Sequence, residues 1–123
     1  MTAQYSYHKL IVYQKAKKLV VFVYQITKSF PTYGLHGLIS QIRRAAVSVP
    51  ANIVEGYIKS STKEFIRFLD ISLGSLAELD FHFDLSFDLG YLNQQVLDEY
   101  FGYSLEITKL LRSFQRSLRE KSS

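Results

Sequence analysis

The sequence contains no cysteine and no tryptophan, and only two prolines and six glycines among 123 residues. Without cysteine there is no disulfide, no thiolate metal site and no thiol nucleophile. Scarce proline and glycine remove the punctuation that many short strands need, and favour a few long regular elements. Long apolar runs are also missing. The longest, Leu19 to Tyr24, has six residues, against the ~20 of a membrane span. The first residues, MTAQYSYHKLIVYQ, lack the apolar stretch and small-residue cleavage site of a signal peptide. The expectation is a cytoplasmic protein with no membrane segment. One domain of ordinary size accounts for residues 1–123.

What is present is aromatic, mildly basic and periodic. Nine Tyr and nine Phe accompany a formal net charge of +4 and a pI near 9.3. Val12, Ala16, Leu19, Val23, Ile26 and Phe30 recur at the spacing of a buried helical stripe, and Pro31 and Gly34 end it. Ile42, Ala46, Val49 and Ile53 form a second stripe. Phe65, Leu69, Ser72, Leu76, Leu79, Phe83 and Phe87 form a third, and Val96, Tyr100, Tyr103, Ile107, Leu110, Phe114 and Leu118 a fourth. Ser61 followed by Glu64 reads as a capping box, Gly90 as a C′ residue, and Asn93 as an N-cap. The predicted helices span about 10–29, 38–57, 62–89 and 94–119, with residues 120–123 frayed. The stretch 81–89 alternates apolar and polar, which is a strand signal. The helical period runs into it without a breaker, and a lone strand would have no partner, so it is assigned to the third helix. Phe81, Leu85 and Leu89 then form a second apolar face, as do Val20 and Tyr24 on the first helix, and this predicts burial against another subunit. The fold class is therefore all-α: an antiparallel up-down-up-down four-helix bundle.

The second helix holds Pro50 in its interior, where proline costs about 3 kcal/mol or more. A kink and a free carbonyl at Ala46 are expected. Arg44, Ser48, Asn52 and Glu55 lie on one face of that helix, and Glu78 on the third helix is a candidate partner for Arg44, beside the small pair Gly74-Ser75 where two backbones can approach. Such a stripe has three readings: a polar network that fixes register, a ligand or catalytic site, or a polar patch in a subunit interface.

The segment SQIRRAAVSVPANIVEG, residues 40–56, resembles the signature of the four-helix bundle proteins encoded by intervening sequences in bacterial 23S rRNA genes. Val12 to Ala16, Phe30-Pro31 and STKEFIRFLDISLGSLAE at residues 61–78 extend the match, so that it covers about Tyr7 to Arg116. The chain departs from the family at His36-Gly37-Leu38, where Tyr-Gly-Leu is usual, and in the loop 32–35, which lacks the usual acidic residues. The resemblance implies an antiparallel four-helix bundle that assembles into a homopentameric ring. A related branch, the accessory variability determinant of diversity-generating retroelements, is a basic pentamer that binds RNA and a reverse transcriptase. By that resemblance the expected partners are further copies of the chain, RNA or DNA, and a protein such as a reverse transcriptase.

An up-down topology gathers Lys9, Lys15, Lys17, Lys18, Lys59, Lys63, Arg67, Lys109, Arg112, Arg116, Arg119 and Lys121 at one end of the bundle, twelve of the fifteen basic residues. Asp80, Asp84, Asp88, Asp98 and Glu99 fall at the other. Helix dipoles explain the basic end of the fourth helix but not lysines at the start of the first. The basic end is either a solvated face or a surface for phosphate. Under the second reading Lys15, Lys18, Lys63, Arg67, Lys109, Arg112, Arg116 and Arg119 are the candidate nucleic-acid contacts, reading backbone rather than bases.

Enzyme signatures are missing. The three histidines, His8, His36 and His82, stand in no HExxH or ExxH pattern, and there is no P-loop, GxSxG or dinucleotide fingerprint. Glu78 with His82 is a single pair, and Asp80, Asp84 and Asp88 read as a solvated face. The expectation is a non-catalytic oligomeric scaffold or adaptor without a cofactor or metal, binding nucleic acid through its basic end. The alternative is a purely structural or protein-interaction homo-oligomer.

Overall fold

The computed structural model describes residues 7–31, 33 and 35–122. These form four long helices: α1 (Ile11–Lys28), α2 (His36–Tyr57), α3 (Thr62–Asp88) and α4 (Gln94–Ser122). Each helix packs on the next in the chain, and α1 closes the bundle against α4. The boundaries follow local chemistry. Ser61 Oγ accepts the Glu64 backbone N–H at 3.0 Å and so caps α3. Only half of the capping box forms, because the Glu64 carboxylate binds Arg67 instead. Gly90, at φ +83°, ends α3; its N–H reaches Phe87 O and that of Tyr91 reaches Ser86 O, both at 2.9 Å, which is a Schellman closure. Asn93 Oδ1 then accepts Val96 N–H at 2.9 Å and starts α4. That helix continues to Ser122 rather than fraying after 119. Gly34, expected to help end the first helix, lies outside the described residues.

The alternating stretch 81–88 is helical, because its amide groups continue the α3 ladder. Phe81 and Leu89 do not form a buried second face within the chain: they are 60% and 52% exposed, while Leu85 is half-buried. On α1, Val20 packs at the edge of the core and Tyr24 is exposed.

The core joins Leu19, Ile42, Ile53, Leu69, Leu76, Leu79, Phe83, Tyr100, Ile107 and Leu111, all nearly inaccessible. Its line on α4 differs from the purely apolar one. Leu97, Tyr100, Ser104, Ile107, Leu111 and Gln115 are buried, whereas Val96, Tyr103, Leu110, Phe114 and Leu118 flank them. Two polar residues sit on the true core line because each has a partner across the α3–α4 contact. Gln115 donates to Asp70 Oδ1 at 2.7 Å and Ile66 O at 3.2 Å. Ser104 and Tyr100 both donate to Asp80 Oδ1 at 2.7 Å.

On the α2–α3 contact the close approach is at Gly56, not Gly74. A Cβ on Gly56 would lie 2.8 Å from both Phe65 Cδ1 and Phe68 Cβ, while one on Gly74 would meet nothing within 4 Å. Alanine in place of an unconstrained helical glycine stabilises by up to ~1 kcal/mol. Gly56→Ala is expected to do the reverse, at a cost of roughly 1–3 kcal/mol for overpacking, read as a fall in Tm. Gly102→Ala on exposed α4, where a Cβ meets nothing within 4 Å, should raise Tm. Equal responses at the two sites would refute the close-approach reading.

Candidate nucleic-acid interface

The bundle brings four helix ends together. Leu10, Ile11 and Val12 share a cleft with Leu110, Ser113 and Phe114. Phe114 meets Phe65 edge-on at 5.1 Å, and Phe65 meets Tyr57 at 6.0 Å. The start of α1, the end of α2, the start of α3 and the end of α4 therefore form one end of the molecule. Phe30 against Tyr91, at 5.6 Å, marks the other.

The candidate cations are not equivalent there. Lys15 is held by Glu106 at 3.2 Å on the α1–α4 side. Arg67 donates two hydrogen bonds to Glu64, at 3.1 and 3.2 Å, and lies over the Phe68 ring at 4.7 Å. That guanidinium, aided by the charges of Lys59 and Lys63, holds the Glu64 carboxyl below its ordinary range. Lys17 and Lys18 lie along the α1–α4 groove, sharing it with Glu99 and Tyr103, away from the end itself. Their position eight residues or fewer along α1 is about half the helix, at 1.5 Å per residue. Lys63, Lys109, Arg112, Arg116, Arg119 and Lys121 are exposed. Of these, Lys109, Arg112 and Arg116 share one face of α4 and form no salt bridge among the described residues.

The polar stripe of α2 is partly a network. Asn52 Nδ2 donates to Ser48 O at 2.8 Å and to Ser48 Oγ at 2.9 Å, and the Ser48 and Ser75 hydroxyls are 2.8 Å apart. Ser72, fully buried, donates to Val49 O at 2.8 Å. Side-chain donors thus gather on the carbonyls beside Pro50, those of Ser48 and Val49, rather than on Ala46. The helix continues through Pro50. Glu55 is exposed and joins no hydrogen bond or salt bridge among the described residues. Arg44 and Glu78 line one cleft of about 450 Å³ between α2 and α3, but Glu78 Oε2 lies 3.5 Å from His82 Nε2 instead of pairing with Arg44. The His82 ring is buried and neither nitrogen has a hydrogen-bond partner among the described residues. The 3.5 Å contact becomes an ion pair only when that ring is protonated.

The model of the 23S rRNA-intervening sequence protein family matches residues 8–113. The chain belongs to this family. A crystal structure of a protein of unknown function from the S23 ribosomal protein family of Bacteroides thetaiotaomicron is similar to it, at 26% identity and a TM-score of 0.79 over 85% of this chain and 98% of that one. No curated protein matches. The four-helix architecture is thus shared by this family member and its structural neighbour. No described helix is long and apolar enough to cross a membrane, and no three His, Asp or Glu side chains among the described residues are grouped to hold a metal ion.

Sequence reasoning missed the Asp80–Tyr100–Ser104 and Asp70–Gln115 pins. A signal for the α4 half of each was present: Ser104 and Gln115 fall three or four residues from Tyr100, Ile107 and Leu111, on the same helical line. Tyr100 stacks on Phe83 at 3.9 Å. Burial raises its phenol pKa strongly, and the Asp80 charge and hydrogen bond add to the shift.

Asn52→Ala is expected to cost about 1 kcal/mol through its lost hydrogen bonds, whereas Glu55→Ala should stay within ~0.5 kcal/mol; chemical denaturation of both variants measures this. A larger effect at Glu55 would contradict the network described. The raised Tyr100 pKa gives a second expectation. Above its unfolded value of 10.0, the unfolded chain releases a proton that the folded chain retains. The contribution is intact below that value and declines as pH rises beyond it. Tm should therefore drop from about pH 9 to about pH 11 more steeply in the parent than in Tyr100→Phe, and identical slopes would be the contrary result.

Proposed function

We propose that this family member is a non-catalytic oligomeric scaffold that binds the phosphate backbone of RNA or DNA through the basic end of its bundle. The observation that carries the reading is the exposed row Lys109, Arg112 and Arg116 on α4, which forms no salt bridge among the described residues. Surface cations already paired with carboxylates, like Lys15 and Arg67, have less to offer a phosphate. Lys63 and Lys121 lie near enough in the topology to extend the same surface. Contacts of this type give affinity without base selectivity.

Self-assembly belongs to the same reading. Phe81, Leu89, Leu105 and Val21 are each more than half exposed, a pattern that favours burial against further copies. A ring of five, implied by the family resemblance, would repeat the basic row and add its weak contacts by multivalency. The protein is taken to work in the cytoplasm. The exposed aromatic and aliphatic residues also favour a second reading, a purely structural or protein-interaction oligomer whose basic end meets no nucleic acid.

Filter binding of a structured RNA across a salt series separates the two. Retention at low salt should weaken steeply with salt, and Lys109→Ser/Arg112→Ser/Arg116→Ser should flatten the log–log slope by roughly 2–3. Absence of retention at low salt leaves the structural reading. Light scattering that gives one subunit's mass would remove the ring.

A further inference from the structure

The α1–α2 groove at the end opposite the basic row holds an open cavity of about 750 Å³. Lys28, Arg43 and Arg44 line it with His36, and no carboxylate among the described residues does. Ser40 and Ser48 contribute hydroxyls, and Tyr24, Ile39 and Val47 an apolar wall. Three permanent cations around one concavity without a counter-charge make an electropositive pocket.

Arg43 is held there. Its Nε donates to Thr27 Oγ1 at 2.9 Å, and its guanidinium lies 4.5 Å over the Tyr24 ring. Thr27 is 2% exposed and is itself anchored, donating to Val23 O at 2.8 Å. The Nε bond and the stacked face fix the plane of the group. The two terminal nitrogens have no protein acceptor among the described residues. A fixed guanidinium with both terminal nitrogens open is a fork suited to a phosphoryl group. Helix α2 also begins at this groove, and Leu35 supplies no side-chain cap to its first N–H groups, which adds positive potential.

We infer that this groove binds a phosphorylated small molecule of mononucleotide size. Arg43 and Arg44 take the phosphate, and Tyr24 with Val47 flanks the remainder of the ligand. The apolar wall beside the cations sets the size class, because a bare phosphate leaves Tyr24, Ile39 and Val47 uncovered; the open volume is of the order of small-molecule sites, ~300–1,000 Å³. Arg44 stands on the ridge between this groove and the α2–α3 cleft. Glu78, whose carboxylate shares that cleft, approaches His82 rather than Arg44. The inference is independent of nucleic-acid binding at the other end.

Isothermal titration calorimetry of the full chain at low salt, with AMP, ATP and inorganic phosphate as probes, tests it. The expected result is saturable binding of AMP and ATP at one site per chain, tighter than inorganic phosphate. Arg44→Gln, which breaks no hydrogen bond or ion pair among the described residues, should weaken nucleotide binding about tenfold or more, as should Arg43→Gln. Val47→Ser, on the apolar wall and in no hydrogen bond or ring contact with Arg43 among the described residues, should weaken AMP but leave inorganic phosphate unchanged. Arg112→Ser/Arg116→Ser should bind all three probes as the parent does. No saturation by any probe up to millimolar concentration overturns the inference. So does inorganic phosphate binding as tightly as AMP, or a loss in the far-end variant that matches the loss in Arg44→Gln.

Discussion

The bundle depends on the seam between α2 and α3. At one end of that seam Gly56 lets the α2 backbone lie directly on Phe65 and Phe68. In its middle, the Ser48–Ser75 contact and the Ser72 bond to Val49 O link the helices through short side chains. Large residues at these positions would separate the helices and shift their register. Pro50 falls between the two, where the helix has lost a backbone donor. The side chains around it supply donors to neighbouring carbonyls, so the turn of α2 that lacks a backbone donor is tied to α3 by hydrogen bonds. The pairing of Ser48 with Ser75 and of Gly56 with Phe65 runs in opposite directions along the two helices, and this sets which helix ends meet.

Charge placement follows from that register. Once the end of α2 lies beside the start of α3, the end of α4 and the start of α1 complete the same surface. Basic residues scattered over the sequence then become neighbours. Their side chains do not remain uniformly available, however. Glu64 and Glu106 each engage one cation, and an exposed ion pair of this type adds little to stability because water screens it. Its consequence is therefore less for stability than for which cations face outward without a counter-charge. On α4, Lys109, Arg112 and Arg116 are left as the continuous row.

The helices and most of the core were legible because both rest on periodicity. The caps at Ser61, Gly90 and Asn93 rest on single-residue chemistry and were equally legible. The α4 core line was displaced in the sequence reading because hydrophobicity was used as the marker of burial. Ser104 and Gln115 are buried with partners on α3, and nothing in a one-dimensional pattern announces Asp80 or Asp70 across the contact. The same reason separates Arg44 from Glu78. Shared level on adjacent helices is readable, but which of Arg44 and His82 a flexible carboxylate approaches depends on side-chain geometry. The pair Gly74-Ser75 suggested close approach because both residues are small; Ser75 does meet Ser48, but the rotation of α2 puts Gly56 rather than Gly74 at the tight backbone contact. The Arg43–Thr27–Tyr24 assembly was hidden differently. Tyr24 read as part of a second apolar face turned to another subunit and Arg43 carried no reading of its own, and only the α1–α2 crossing joins them.

Two cationic surfaces on one small bundle differ in physical kind. On α4 the charges are solvated and in a row, an arrangement whose attraction for a long polyanion would rest on charge density and release of counterions. In the α1–α2 groove Arg43 is immobilised by a buried hydroxyl and an aromatic face, so less side-chain entropy is lost when its terminal nitrogens bind. A row of free cations discriminates poorly between anions. A fixed fork beside an apolar wall discriminates by shape. The difference arises from packing rather than net charge: the buried Thr27 on the core side of α1 turns one of fifteen basic side chains from a mobile charge into an oriented donor.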